Sequence, residues 1–186
     1  MPRAGLSRAV IAADAAELAD ENGWDQLTLA AVAARFGVRQ PSLYKHVASL
    51  AELRRDVSVL SGRELHEVLT AAAVGRSGAD ALAAMAQAYR TFAKEHPGRY
   101  AACVVAPLPQ DTEYQQVAAA VVQIVSAVLA GYGLAGDDAI HAIRGLRALM
   151  HGFVSLEVVG GFALPQDLDE SYRRLIDGFA QSLANS

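Results

Sequence analysis

Three spaced residues, Ala33, Gly37 and Leu43, constrain this chain more than any other feature of its sequence. They lie in the stretch Thr28–Val47, which reads TLAAVAARFGVRQPSLYKHV. A small residue at 33 lets two helices cross closely. Gly37 supplies the positive φ that a tight turn between helices needs. Leu43 brings a large apolar group back onto the preceding helices. Small residue, glycine and large apolar residue at these offsets form a helix-turn-helix frame. Thr28 reads as the N-cap of the second helix, with Leu29, Val32, Ala33 and Phe36 inward. The third helix is predicted at about Gln40 to Val47, with Pro41 in its first turn, where a missing N–H costs little.

A glycine turn between helices is common, so the frame alone is weak. The outer face of the third helix adds the distinguishing chemistry. It carries Gln40, Ser42, Tyr44, Lys45 and His46, while Leu43 and Val47 point inward. So short a helix has little stability of its own and must be held by the first two. A rigid short helix with a polar outer face suits the major groove of duplex DNA. Gln40 can pair bidentately with adenine, and Pro41 and Tyr44 can touch thymine methyls. Lys45, with Tyr44 or His46, can reach phosphates, and the free N–H groups behind Thr28 face the other strand. A helical module with no role on DNA is the competing reading, opposed by this face alone.

Around this segment the chain reads as helix throughout. Ser7 to Asn22 forms the first helix, with Ile11, Ala15, Leu18 and Ala19 on one face and Gly23 as its stop. Trp24 packs under the connector that follows. Further helices are predicted at about 49–73, 79–96, 99–104, 112–131, 137–159 and 167–183, which gives about nine in an all-α chain. The segment Tyr114–Gly136 has no charged residue and is long enough to span a bilayer. Its Ala and Val content, its glutamines and its acidic flanks predict a buried helix of a soluble protein instead.

At Gly37–Val47, and more broadly from Ala9 to Leu53, the sequence resembles the TetR family. The resemblance implies a homodimer that binds an operator in double-stranded DNA. It also implies a three-helix head, residues 1–48, and a ligand-binding and dimerisation body, residues 49–186, that answers to a small-molecule inducer. The DNA-contacting set it implies is Thr28, Arg39, Gln40, Pro41, Ser42, Tyr44, Lys45 and His46. Arg39 stands where many members have a Ser or Thr cap, and Leu50 where many have a Lys. The run Arg147–Glu157 is similar to a subgroup named for a Trp-His-Gly signature, with Met150 in place of the Trp. The last two long helices form the usual dimer pair of the family, which implies C2 pairing through Leu149, Gly152, Leu156, Leu175, Ile176 and Phe179. Each of these serves an intramolecular core equally well.

A ligand pocket is expected among the fourth to eighth helices, where Met85, Tyr89, Phe92, Tyr100, Met150 and Phe153 offer adaptable apolar and aromatic surface. Packing is the default role for such residues. His151 reads as a satisfied core histidine, and the 5 histidines show no metal-ligand spacing. The single cysteine, Cys103, excludes an internal disulfide and fits a reducing cytoplasm. Met1–Leu6 contains no signal-peptide apolar region. No phosphate loop, dinucleotide fingerprint or hydrolase signature is present, so neither enzyme activity nor a cofactor is expected.

Charge does not point to DNA by itself. The net charge is −4, and Met1–Leu60 holds as many acidic as basic residues. Placement must therefore do the work, with Arg3, Arg8, Arg35, Arg39 and Lys45 as the cations available near phosphates.

Overall fold

A computed structural model describes residues 6–184. Those residues form eight α-helices and two 3-10 turns, with no strand among them. In chain order they are α1 (Arg8–Asn22), η1 (Trp24–Gln26), α2 (Leu29–Arg35), η2 (Gln40–Lys45), α3 (Leu50–Ala73), α4 (Gly78–Glu95), α5 (Pro97–Val104), α6 (Thr112–Ala130), α7 (Gly136–Val158) and α8 (Leu168–Ala184).

Local chemistry sets the first boundaries. The Ser7 hydroxyl accepts the Val10 N–H at 3.3 Å and starts α1. Gly23, at φ 95°, donates to the Ala19 carbonyl and ends it. Thr28 Oγ1 accepts the Ala31 N–H at 3.1 Å and starts α2. Gly37, at φ 64°, turns the chain toward η2. Before α3, Ser49 Oγ accepts the Glu52 N–H at 3.1 Å while the Glu52 carboxylate takes the Ala48 N–H, a variant of the capping box.

The chain divides into two compact units. The first joins Met1–Glu64 to Glu95–Val117. Its core contains Ile11, Ala15, Leu27, Val32, Ala33, Leu43, Val47, Leu53 and Val57, together with Ala102 from α5. Packing in this unit joins α5, with the starts of α3 and α6, to α1, α2 and η2. The cause lies at two points. Gly98 has no side chain to hold α5 away from the Ala19 backbone. Asp20 accepts the Arg99 N–H at 2.8 Å and pairs with the Arg99 guanidinium.

The second unit joins Leu65–Lys94 to Ala118–Ser186. Leu82, Met85, Ala86 and Ala93 of α4, Leu146, Met150 and Val154 of α7, and Tyr172, Ile176, Ala180 and Leu183 of α8 are buried. The Tyr172 hydroxyl donates to the Ala86 carbonyl at 2.9 Å, which satisfies its polar tip inside the core.

By length and composition α6 could cross a membrane, and only 28% of its apolar window is buried. Val117, Val125, Val128 and Leu129 are buried, while Val122, Gln115, Gln116 and Gln123 are exposed. It is buried along one stripe of its larger residues and faces water along the other side.

Candidate nucleic-acid interface

The third element of the head is shorter and tighter than predicted. Instead of an α-helix from Gln40 to Val47, the chain makes a 3-10 turn over Gln40–Lys45. Arg39 provides no side-chain cap, and Pro41 has no N–H to give. The turn closes with i to i+3 bonds, Ser42 N–H to the Arg39 carbonyl at 2.9 Å and His46 N–H to the Leu43 carbonyl at 2.8 Å. Leu43 and Val47 are fully buried and anchor it in the head core.

The outward residues follow from that anchoring. Pro41, Tyr44 and Lys45 are exposed, and Gln40, Ser42 and His46 are half-buried beside them. Tyr44 stands out at 51% exposure for so large a ring. The Gln40 amide donates to the Tyr44 hydroxyl at 3.2 Å, so the two side chains share one arrangement. Thr28 and Arg39 are exposed as well.

The cations sort differently from expectation. Arg35 pairs with Asp14 at 2.9 Å and Glu17 at 3.1 Å, and also with Glu21, all on α1. Burial pushes the Asp14 carboxyl up, and the bond from Arg35 opposes that shift. Arg8 is held by Asp56 at 2.6 Å and by Glu52. Both arginines therefore hold carboxylates of the head and are not free for phosphates. Arg54 donates to the carbonyls of Trp24, Asp25 and Leu27 and lies over the Trp24 ring, 5.4 Å from its centroid. Arg3 lies outside the described residues. Arg39 and Lys45 remain as exposed cations of the turn without an ion pair among the described residues. Leu50, where many family members carry a Lys, packs against the head core.

The other candidates fall in both units. Met85, Tyr89, Phe92 and Met150 are buried and Phe153 is half-buried in the second unit, whereas Tyr100 is buried in the first. On α7 and α8, Gly152 and Leu156 are exposed, and Leu149, Leu175 and Phe179 are half-buried. Ile176 is only 3% exposed, so it lies in the core of its own chain and supports this face from beneath. His151 is half-buried, 3.4 Å from the Ser155 hydroxyl. No group of three or more metal-ligating side chains occurs among the described residues.

Sequence reasoning missed Arg90. It sits at 2% exposure on α4, paired with Glu157 of α7 and Asp169 of α8. Nothing local marks it, because its partners are far away in sequence.

A helix-turn-helix head bearing a polar, cationic turn defines a DNA-binding regulator. Comparison with known proteins makes the placement specific. Residues 11–57 match the model of bacterial regulatory proteins of the tetR family, and residues 82–179 match a tetracyclin repressor-like C-terminal domain. The chain belongs to the TetR family. It is 36% identical over 183 residues to the HTH-type transcriptional regulator YobS of Bacillus subtilis, covering 98% of this chain and 95% of that protein. It is 42% identical over 158 residues to the HTH-type transcriptional regulator Rv0681 of Mycobacterium tuberculosis, covering 84% and 72%. A solved protein of unknown function from Rhodococcus sp. RHA1 shares the fold with TM-score 0.79 and 26% identity over 99% of both chains. A TetR variant from Acinetobacter baumannii AYE in complex with minocycline superposes with TM-score 0.72 at 21% identity over 97% of both chains.

Proposed function

We propose that the chain is a dimeric repressor, bound to a palindromic operator through the Gln40–Lys45 turn and released when a small molecule enters its body. The observation that carries this reading is the turn itself. Leu43 and Val47 fix it from inside while Tyr44 and Lys45 stand in solvent. In this reading Gln40, Pro41 and Tyr44 meet base edges, and Arg39, Ser42, Lys45 and His46 meet the backbone. Thr28 turns the positive end of α2 toward a phosphate.

The working division is a head of residues 1–48 and a body of 49–186. Exposed Gly152 and Leu156, with Leu149, Leu175 and Phe179, form the contact between copies. Met85, Tyr89, Phe92, Met150 and Phe153, all in the second unit, line the inducer site, and Tyr100 packs in the first unit instead. The complex of the A. baumannii protein with minocycline supports a small-molecule ligand for a chain of this fold. The finer placement in the Trp-His-Gly subgroup rests on His151 and Gly152. The protein acts in the cytoplasm and does no catalysis.

Fluorescence anisotropy on a duplex selected by the protein tests the assignment. Tyr44→Ala is expected to flatten the difference between selected and scrambled duplex. Lys45→Ala is expected to weaken both alike. Equal loss from the two variants contradicts this division of base and phosphate contacts, and no binding to any duplex favours a helical module without a role on DNA.

A further inference from the structure

In the second unit, Arg90 of α4 is a buried cation held asymmetrically. Its Nε and one terminal nitrogen donate to both oxygens of Glu157, at 2.7 and 2.6 Å. The Glu157 side chain is 8% exposed, also accepts from Lys94 at 3.0 Å, and is held below the usual carboxylate range by the Arg90 bonds. That side of the guanidinium is a fixed fork. The other terminal nitrogen reaches Asp169 at 2.8 Å, and the Asp169 side chain is 84% exposed. One side of a buried cation is thus closed by a residue that stands in water.

Aromatic rings surround the same group. The guanidinium carbon lies 5.6 Å from the centroid of Phe153 and 5.1 Å from that of Tyr172. Phe153 also meets Tyr172 and Phe162, each with ring centroids 4.9 Å apart. Phe153 and Phe162 are only half-buried. Phe162 lies in the segment between α7 and α8, and Asp169 stands in the first turn of α8 with its side chain in solvent, so the ring and the carboxylate can both turn away without unfolding a helix. With Asp169 in place the four charges Arg90, Lys94, Glu157 and Asp169 cancel. Without it, one positive charge is left, beside flat apolar surface.

We propose that Arg90 is the anchor of a site for a planar aromatic carboxylate, and that Asp169 occupies the ligand's carboxylate position when the site is empty. The inference rests on the reading that the body binds a small molecule, and it names the chemical class. The incoming carboxylate takes the Asp169 position on Arg90, its ring lies against Phe153 and Phe162, and the site stays neutral. Glu157 keeps Arg90 in place throughout.

Isothermal titration of the full-length protein with sodium benzoate, and with benzamide as its neutral isostere, tests this. Benzoate is expected to bind and benzamide is not. Asp169→Asn changes an exposed side chain and is expected to tighten benzoate about fivefold, the worth of an exposed ion pair. Phe153→Leu is expected to weaken benzoate while Asp169→Asn still tightens it. Equal binding of benzoate and benzamide, no binding of either, or an unchanged benzoate affinity in Asp169→Asn overturns the proposal. Adding benzoate to the operator complex separates this from the regulator reading. Binding of benzoate with the expected response to Asp169→Asn supports the carboxylate site even where DNA stays bound, and in that case only release by this ligand fails.

Discussion

Gly98, in the first turn of α5, lies so close to Ala19 of α1 that a Cβ on it would overlap the Ala19 carbonyl and the Asp20 amide. What it would strike is backbone, which cannot step aside as a side chain can. Gly98→Ala must therefore displace a helix. Overpacking of this kind costs about 1–3 kcal/mol, which outweighs the helix propensity that alanine gains over glycine. Urea unfolding is expected to show a lower midpoint, with weaker DNA binding because α1 supports η2 through the same core. An unchanged midpoint would mean that the two helices are not locked at this point.

The sorting of arginines gives a salt prediction. Arg35 and Arg8 are committed to carboxylates of the head, while Arg39 and Lys45 are not. Each lost phosphate contact lowers the slope of log affinity against log salt by about 0.9, so Lys45→Ala in a dimer lowers it by about 2. Arg39→Ala is expected to do the same. Arg35→Ala is expected to leave the slope unchanged while making the head easier to unfold, because Asp14, Glu17 and Glu21 lose their shared cation. Anisotropy titrations at several salt concentrations measure all three.

Asp111 provides an acid-sensitive contact. Its carboxyl is lowered to about 2, first by the hydrogen bonds from Arg55 and then by the Tyr114 N–H, with burial opposing. Its ordinary value is 3.8, so the contribution is present above about pH 4 and lost as pH falls through about 2. Asp111→Asn keeps a side chain able to cap α6 but gives up the ion pair. Urea midpoints of wild type and variant are expected to differ at pH 7 and to converge toward pH 2. A constant gap across that range contradicts the assignment.

Gly152 on α7 meets no other heavy atom within 4 Å of where a Cβ would stand, and Leu156 one turn away is 48% exposed. Within one chain, Gly152→Ala is expected to be neutral or to stabilise α7 by up to about 1 kcal/mol. A bulky side chain there blocks close approach of a second copy. Gly152→Leu is expected to shift sedimentation equilibrium toward monomer with helicity retained. A dimer of unchanged strength would place the contact elsewhere.

The parts of the fold legible in the sequence are those fixed by neighbours along the chain. Ser7, Gly23, Thr28 and Gly37 each act within a few residues, and each does in the structure what its chemistry predicts. Helix limits fall within two residues of the expected ones apart from η2, where an uncapped Arg39 followed by Pro41 yields a 3-10 turn. A helix without charges can still face water through alanine and glutamine, as α6 does along one side. Arg35 and Arg90 were misread or missed for one reason. A cation's partner depends on contacts made far along the chain, as with Arg90 and Glu157, and periodicity carries no information about those contacts.

Selection of duplexes from a random pool by the full-length protein at low salt tests the central claim most directly. A two-headed protein with one anchored turn per head is expected to enrich a palindrome whose half-sites lie about one DNA turn apart. Enrichment of no palindrome, with binding to all duplexes equal and lost together as salt rises, would contradict it.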